Sequence, residues 1–220
     1  MDNKERLRKW LWLGLDETTA KKYQRKLSAE NVRIIRNESV IIAGIGALYT
    51  ICMLVLSHVY VKSLVCIIGA AWMFCIFLYT HSLLKKQDEI SKQETYASIG
   101  SFMICAYAVS IYVGTIGAGN ELAVTIVSLF VFLPTNFDLL PIYNLYVTII
   151  ALAVFFVSSY ISKTPDKFAY DVMDGILAAV IGNFAAFERA KIKWESVKVH
   201  ELDRKSTRLN SSHQAISYAV

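Results

Sequence analysis

The stretch Val40–Val61, VIIAGIGALYTICMLVLSHVYV, decides the fold. It carries no Asp, Glu, Lys or Arg. As a helix rising about 1.5 Å per residue, it matches the roughly 30 Å hydrocarbon thickness of a bilayer. A peptide segment in hydrocarbon must pair its own backbone groups, and a helix does so within one segment. Working outward, five more apolar segments follow: 64–84, 97–117, 122–140, 142–161 and 170–187. The whole chain is 55% hydrophobic with mean hydropathy +0.42, which exceeds ordinary soluble composition. The expected fold is all-α and polytopic, with six transmembrane helices over residues 39–187. A cytoplasmic amphipathic segment, residues 1–38, precedes them, and a cytoplasmic exit helix, residues 188–202, follows.

The fourth segment fits least well. Pro134 interrupts it, and Asn136 and Asp138 follow before Pro141. A kinked span ending in a tight turn is expected, with Asp138 in that turn. A re-entrant pairing of segments four and five is the alternative and would leave four spans. The sixth segment reads as short, with Asp171 and Asp174 near its start.

Cations set the orientation. Lys4, Arg6, Arg8, Lys9, Lys21, Lys22, Arg25, Lys26, Arg33 and Arg36 precede the first span. Lys85, Lys86 and Lys92 follow the second, and Arg189, Lys191, Lys193 and Lys198 follow the sixth. The opposite loops hold only Lys62, Lys163 and Lys167. The positive-inside rule then places both termini in the cytoplasm, which requires an even number of spans. Near the N-terminus, Arg6–Gly14 mixes cations with Trp10, Trp12 and leucines, as a helix lying on an anionic membrane surface would. Asp16 is expected to cap the next helix, and Ser28 a further turn into the first span.

Catalytic chemistry is absent from the pattern. The four cysteines, Cys52, Cys66, Cys75 and Cys105, lie apart in apolar runs and read as small packing residues. There is no HExxH, P-loop or G-x-S-x-G stretch, and Gly44-Ile-Gly46 reads as close helix packing beside Ala43 and Ala47. No catalytic residue, metal site or cofactor is expected, and the chain as given is not read as an enzyme. The modest net charge of +5 does not point to nucleic acid. Ionisable residues at membrane depth are functional candidates. His58, Tyr112, Asn120, Glu121, Asp171 and Asp174 fall near the outer face and could together hold a cation or small polar ligand, whose identity is unknown. Polar helix ends in the headgroup region explain the same residues without a ligand. Asn183, inside the sixth span, is expected to hydrogen-bond across helices.

Beyond the last span, Phe187, Ala190, Trp194 and Val197 step by three, four and three residues. That is coiled-coil spacing, and no Pro or Gly follows Gly182. A continuous signalling helix is expected, with a homodimer formed through it and the lipid bilayer as the other partner.

Trp10-Leu-Trp-Leu-Gly-Leu15, the polar helix through Tyr23 and Asn31-Val-Arg33, and the first span resemble the N-terminal input region of membrane-bound GGDEF proteins. The last span and Phe187–Leu202 resemble the linker helix of that family. The resemblance implies a bacterial multi-pass membrane protein that senses a signal and controls a C-terminal diguanylate cyclase. That domain, with magnesium, condenses two GTP molecules into cyclic di-GMP, usually as a dimer. No GGDEF motif is present, so no catalytic residue carries over. Instead, Asp203–His213 reads DRKSTRLNSSH, similar to the in-frame translation of a sequencing-library adapter, and Ile216–Val220 resembles its continuation. Residues 203–220 are therefore expected to be artefactual, with the output domain lost beyond Leu202. Arg204, Lys205 and Arg208 against Asp203 carry +2 of the net charge, leaving +3 for the rest. Two other readings stay open. One is the input region of a membrane histidine kinase. The other is a small transporter, against which stand the lack of an inverted repeat and the few midplane charges.

Overall fold

The structure is a computed structural model that describes residues 17–57, 60–85 and 90–217. The Arg6–Gly14 segment, Asp16 and His58 lie outside the described residues. Six α-helices follow one another among the described residues: α1 Glu17–Cys52, α2 Tyr60–Lys85, α3 Lys92–Gly114, α4 Val124–Asn136, α5 Pro141–Ser162 and α6 Pro165–Ser217. A π-helical turn, Met53–Ser57, extends α1. No strand occurs among the described residues. Among the described residues, five helical segments are long and apolar enough to cross a membrane, and α4 is a shorter apolar helix.

The all-α polytopic expectation holds, with corrected boundaries. The N-terminal polar helix and the first span are one helix of 36 residues, so no helix begins at Ser28, which lies buried inside α1. The last span begins at Pro165 rather than Tyr170, and its helix runs on unbroken through Leu202 to Ser217. Segment five is a full helix of 22 residues, so it forms no re-entrant pair with segment four.

Local chemistry explains several ends. Ser91-Lys-Gln-Glu94 is a capping box: Ser91 Oγ accepts from the Glu94 amide at 3.2 Å, and Glu94 Oε2 accepts from the Ser91 amide at 2.9 Å. Pro141 occupies the first turn of α5, where a missing N–H costs nothing. Between α3 and α4 the chain reverses through turns, with Gly119 at φ 64°.

α4 crosses the bundle although it has only 13 helical residues, about 20 Å. Its N-terminal neighbour Ala123 contacts Asp171 on α6. Beyond its C-terminus, Asp138 contacts Arg189, also on α6. Positions 171 and 189 stand about 27 Å apart along that helix, close to the hydrocarbon thickness. The non-helical residues Phe137–Leu140 then lead to α5, with a tight turn about Asp138 in which the Leu139 amide donates to the Phe137 carbonyl at 2.9 Å. We call the end holding Asp138, Arg33, Arg36 and Arg189 the basic end, and the other the far end.

The core lies where α3–α6 meet. Phe102, Phe130 and Phe155 are fully buried, and the rings of Tyr107 and Phe155 stand 5.5 and 5.9 Å from Phe130. Several buried hydroxyls donate to carbonyls one turn back, as Thr80 does to that of Ile76 at 2.8 Å and Thr115 to that of Ile111. Outward faces are apolar instead, with Ile41, Ile45, Leu48, Ile150, Met173 and Phe184 all exposed. Such a surface suits lipid and would not stay dispersed in water.

Pro134 shapes the tightest crossing. It has no N–H to pair with the Phe130 carbonyl. α6 passes over that carbonyl at Gly182, where an added Cβ would sit 2.1 Å from the Phe130 oxygen and 2.9 Å from Val131 Cα. Both are backbone atoms, so no rotamer change relieves the clash. Gly46 plays a milder part, its Cβ position lying 3.3 Å from Ala70 Cβ on α2, while nothing approaches Gly44. Gly182→Ala is therefore expected to destabilise the protein by about 1–3 kcal/mol. Gly44→Ala should be neutral or stabilising by up to about 1 kcal/mol. Thermal melting of both variants in one detergent checks this.

Candidate functional site

Two buried carboxylates, one at each end of α4, organise the polar groups of the bundle. At the far end Asp171 is 1% exposed. Its Oδ1 accepts from the Ala123 amide at 3.1 Å, capping an α4 N-terminus that has no side-chain cap of its own. Its Oδ2 accepts from Ser159 Oγ and from Lys163 Nζ, each at 2.6 Å. The Lys163 side chain is as buried as its partner. Asp171 thus ties together the start of α4, the end of α5 and the first turns of α6. Nearby, Asn120 Oδ1 accepts from the amide and hydroxyl of Thr164 at 3.0 and 2.9 Å, pinning the α3–α4 loop to the α5–α6 turn.

The residues expected to share an outer-face ligand therefore divide. Asp171 and Asn120 are engaged in holding the fold. Tyr112 is half-buried in the last turn of α3, and its carbonyl accepts from Gly117 at 2.7 Å. Glu121 and Asp174 are exposed. No group of three metal-binding side chains occurs among the described residues.

At the basic end the acid is Asp138, also 1% exposed. It sits in the non-helical link between α4 and α5, where its backbone would lack partners. Asn31 on α1 meets both groups: Asn31 Oδ1 accepts from the Asp138 amide at 3.0 Å, and Asn31 Nδ2 donates to the Asp138 carbonyl at 3.3 Å. The carboxylate faces α6. Arg189 Nε stands 3.3 Å from Oδ1 and Lys193 Nζ 3.7 Å from Oδ2. These contacts are ionic, and neither oxygen accepts a hydrogen bond from a described residue. Arg189 and Lys193 are four residues apart and so lie on one face of the helix. Each cation also reaches further: Arg189 donates to the Thr135 carbonyl, and Lys193 pairs with Glu30 on α1. Asn144 Nδ2 donates to the Pro134 carbonyl at 3.2 Å. The cleft beside Asp138 is about 10 Å³, the size of one water, so it has no room for a metabolite. The arrangement clamps α6 to α1 and to the end of α4.

The signalling stripe meets this clamp. Ala190 is 2% exposed and packs within the chain, so this first part of the stripe does not wait for a second copy. Phe187 and Trp194 are half-buried, and the Val197 side chain lies outside the described residues. Asn183 Nδ2 donates to Thr148 Oγ1 on α5 at 3.1 Å, the interhelical bond its position suggested. The sequence marks Asp138 as a turn residue but does not identify its partners. The signal was available in an acid flanked by two prolines in apolar surroundings, with cations at i and i+4 where the last span ends.

Comparison with protein families, with curated proteins and with solved structures finds no match for this chain.

Two predictions follow from the carboxylates. Replacing both Arg189 and Lys193 by Met leaves Asp138 buried and uncompensated, at a cost of about 3–5 kcal/mol. Adding Asp138→Asn should recover much of that loss, and a thermodynamic cycle on purified protein measures the recovery. At the far end, Asp171→Asn strands the buried Lys163 ammonium and should cost a similar amount. Asp174→Asn, on the surface, should stay within about 0.5 kcal/mol of the parent. Equal losses at 171 and 174 would contradict the structural role given to Asp171.

Proposed function

We propose that this chain is the membrane anchor and sensory input module of a bacterial signalling protein. Both termini lie in the cytoplasm, and α6 relays a shift of the membrane helices to a C-terminal output domain. The favoured output is a GGDEF-type diguanylate cyclase, which would make cyclic di-GMP from GTP with magnesium. The observation that carries this reading is the continuity of α6. One helix runs from the far end of the bundle, past the clamp at Asp138, and on through Leu202. A helix without a break transmits rotation or translation along its length, whereas a hinge would absorb it. The cations gathered at the basic end favour the cytoplasmic placement. A second copy would pair through the stripe beyond Trp194, since Ala190 is already covered.

The test is a chimera in which a dimerisation-dependent diguanylate cyclase domain is fused after Leu202. Cyclic di-GMP is then measured in cells. Arg189→Met together with Lys193→Met and Asp138→Asn should change output about fivefold or more at equal membrane abundance, the range of ordinary allosteric coupling. Unchanged output would sink the relay role. Reporter fusions after Lys86 and after Phe187 should both report cytoplasm, and an external signal at either would overturn the topology.

A further inference from the structure

A cavity of about 430 Å³ lies between α1, α2, α3 and α4, away from both carboxylates. Small residues are frequent in its lining, with Gly46 on α1, Gly69 and Ala70 on α2 and Ala106 on α3; the two glycines sit at close helix contacts, a Cβ on Gly69 lying 2.6 Å from Val109 and one on Gly46 3.3 Å from Ala70. Its wall includes the buried Met73, Cys66 and Cys105, and is apolar apart from a few hydroxyls and thiols. The volume is nearly three times that of a roughly 150 Å³ apolar cavity that takes up benzene. Protein interiors are close-packed, so a void of this size does not persist empty within a bilayer.

The position of the cavity selects its occupant. The lining residues on α3 and α4 fall in the turns nearest the far end, and those on α2 are about 9–20 Å along the helix from Tyr60. The cavity thus occupies the far-end half of the hydrocarbon. Its mouth passes over Ile42, Ile45 and Tyr49 of α1, all exposed, and is continuous with the lipid-facing surface of that helix. The phase outside the mouth is therefore acyl chain. Water entering an apolar wall would give up hydrogen bonds that nothing there replaces. We infer that this cavity is a binding site for one acyl chain of a membrane lipid from the far-end leaflet. α4, through Thr125 and Leu129, forms the wall the chain presses against.

The probe is a phosphatidylcholine carrying a mid-chain diazirine, incorporated into nanodiscs with the full chain. After illumination, adducts are mapped by peptide mass spectrometry. Adducts on the lining segments of α1 and α3 should exceed those on the exposed Ile149–Ile150 face of α5 about tenfold, a preference near 1.4 kcal/mol. Ala106→Phe and, separately, Val113→Phe should bring the lining adducts down to the level of the α5 face. Ile150→Phe should leave them unchanged. Each variant is first shown to be monodisperse and helical, so that loss of labelling is not loss of fold. Three outcomes overturn the site: equal labelling of all faces, rapid reaction of Cys66 with a water-soluble methanethiosulfonate, or Cys66 cross-links between copies in dilute bilayers. The first means boundary lipid only, the second a water-filled cleft, the third an interface between chains.

Discussion

In hydrocarbon every peptide group must find a partner, and α4 cannot supply its own. It is too short to cross the membrane as a helix, it contains a proline, and it ends in extended backbone. Side chains from three other helices make up the deficit. Asp171 takes the Ala123 amide at the start. At the finish Asn144 meets the Pro134 carbonyl, Arg189 meets that of Thr135, and Asn31 meets both backbone groups of Asp138. The Phe130 carbonyl, released by Pro134, faces the bare Cα of Gly182. The polar residues of this membrane domain are thus concentrated where one segment departs from helical geometry.

This constraint separates what the sequence made legible from what it did not. Long apolar runs fix helices through composition alone, so the existence of the segments and their alternating direction could be read directly. Boundaries were less visible. Nothing in the pattern around Ser28 marks the junction between polar helix and span, because no break exists there. Asp166, Lys167 and Asp171 look like loop residues, so the residue pattern hides the start of α6. In the fold Pro165 opens the helix, and the Asp171 charge is balanced by Lys163 from the preceding turn. A pairing across a loop of this kind depends on tertiary placement, which spacing does not encode.

The same difference accounts for the site. Asp171, Asp174, Glu121 and Asn120 looked equivalent in sequence because they share a depth. Burial divides them, and only the neighbours in space decide burial. Asp171 has Ser159, Lys163 and the Ala123 amide, whereas Asp174, one helical turn later, points outward. Asp138 was legible as a turn residue, but its partners lie more than fifty residues away on α6 and more than a hundred away on α1. The residue type announced a buried charge. The fold alone named what neutralises it.

The clamp at Asp138 also bears on how α6 could switch. A buried carboxylate held by two cations that are themselves partly exposed is an asymmetric contact. The acid cannot leave without its charge being met, but Arg189 and Lys193 can hydrate when they let go. Movement is therefore easier for α6 than for the α4–α5 link. At the far end the reverse holds, since Asp171 and Lys163 are buried together and bind α6 firmly to its neighbours. A helix fixed at one end and held by hydratable ions at the other is free to swing or turn about the fixed end. The residues past Lys193 would move furthest, and they lie beyond the membrane-facing core.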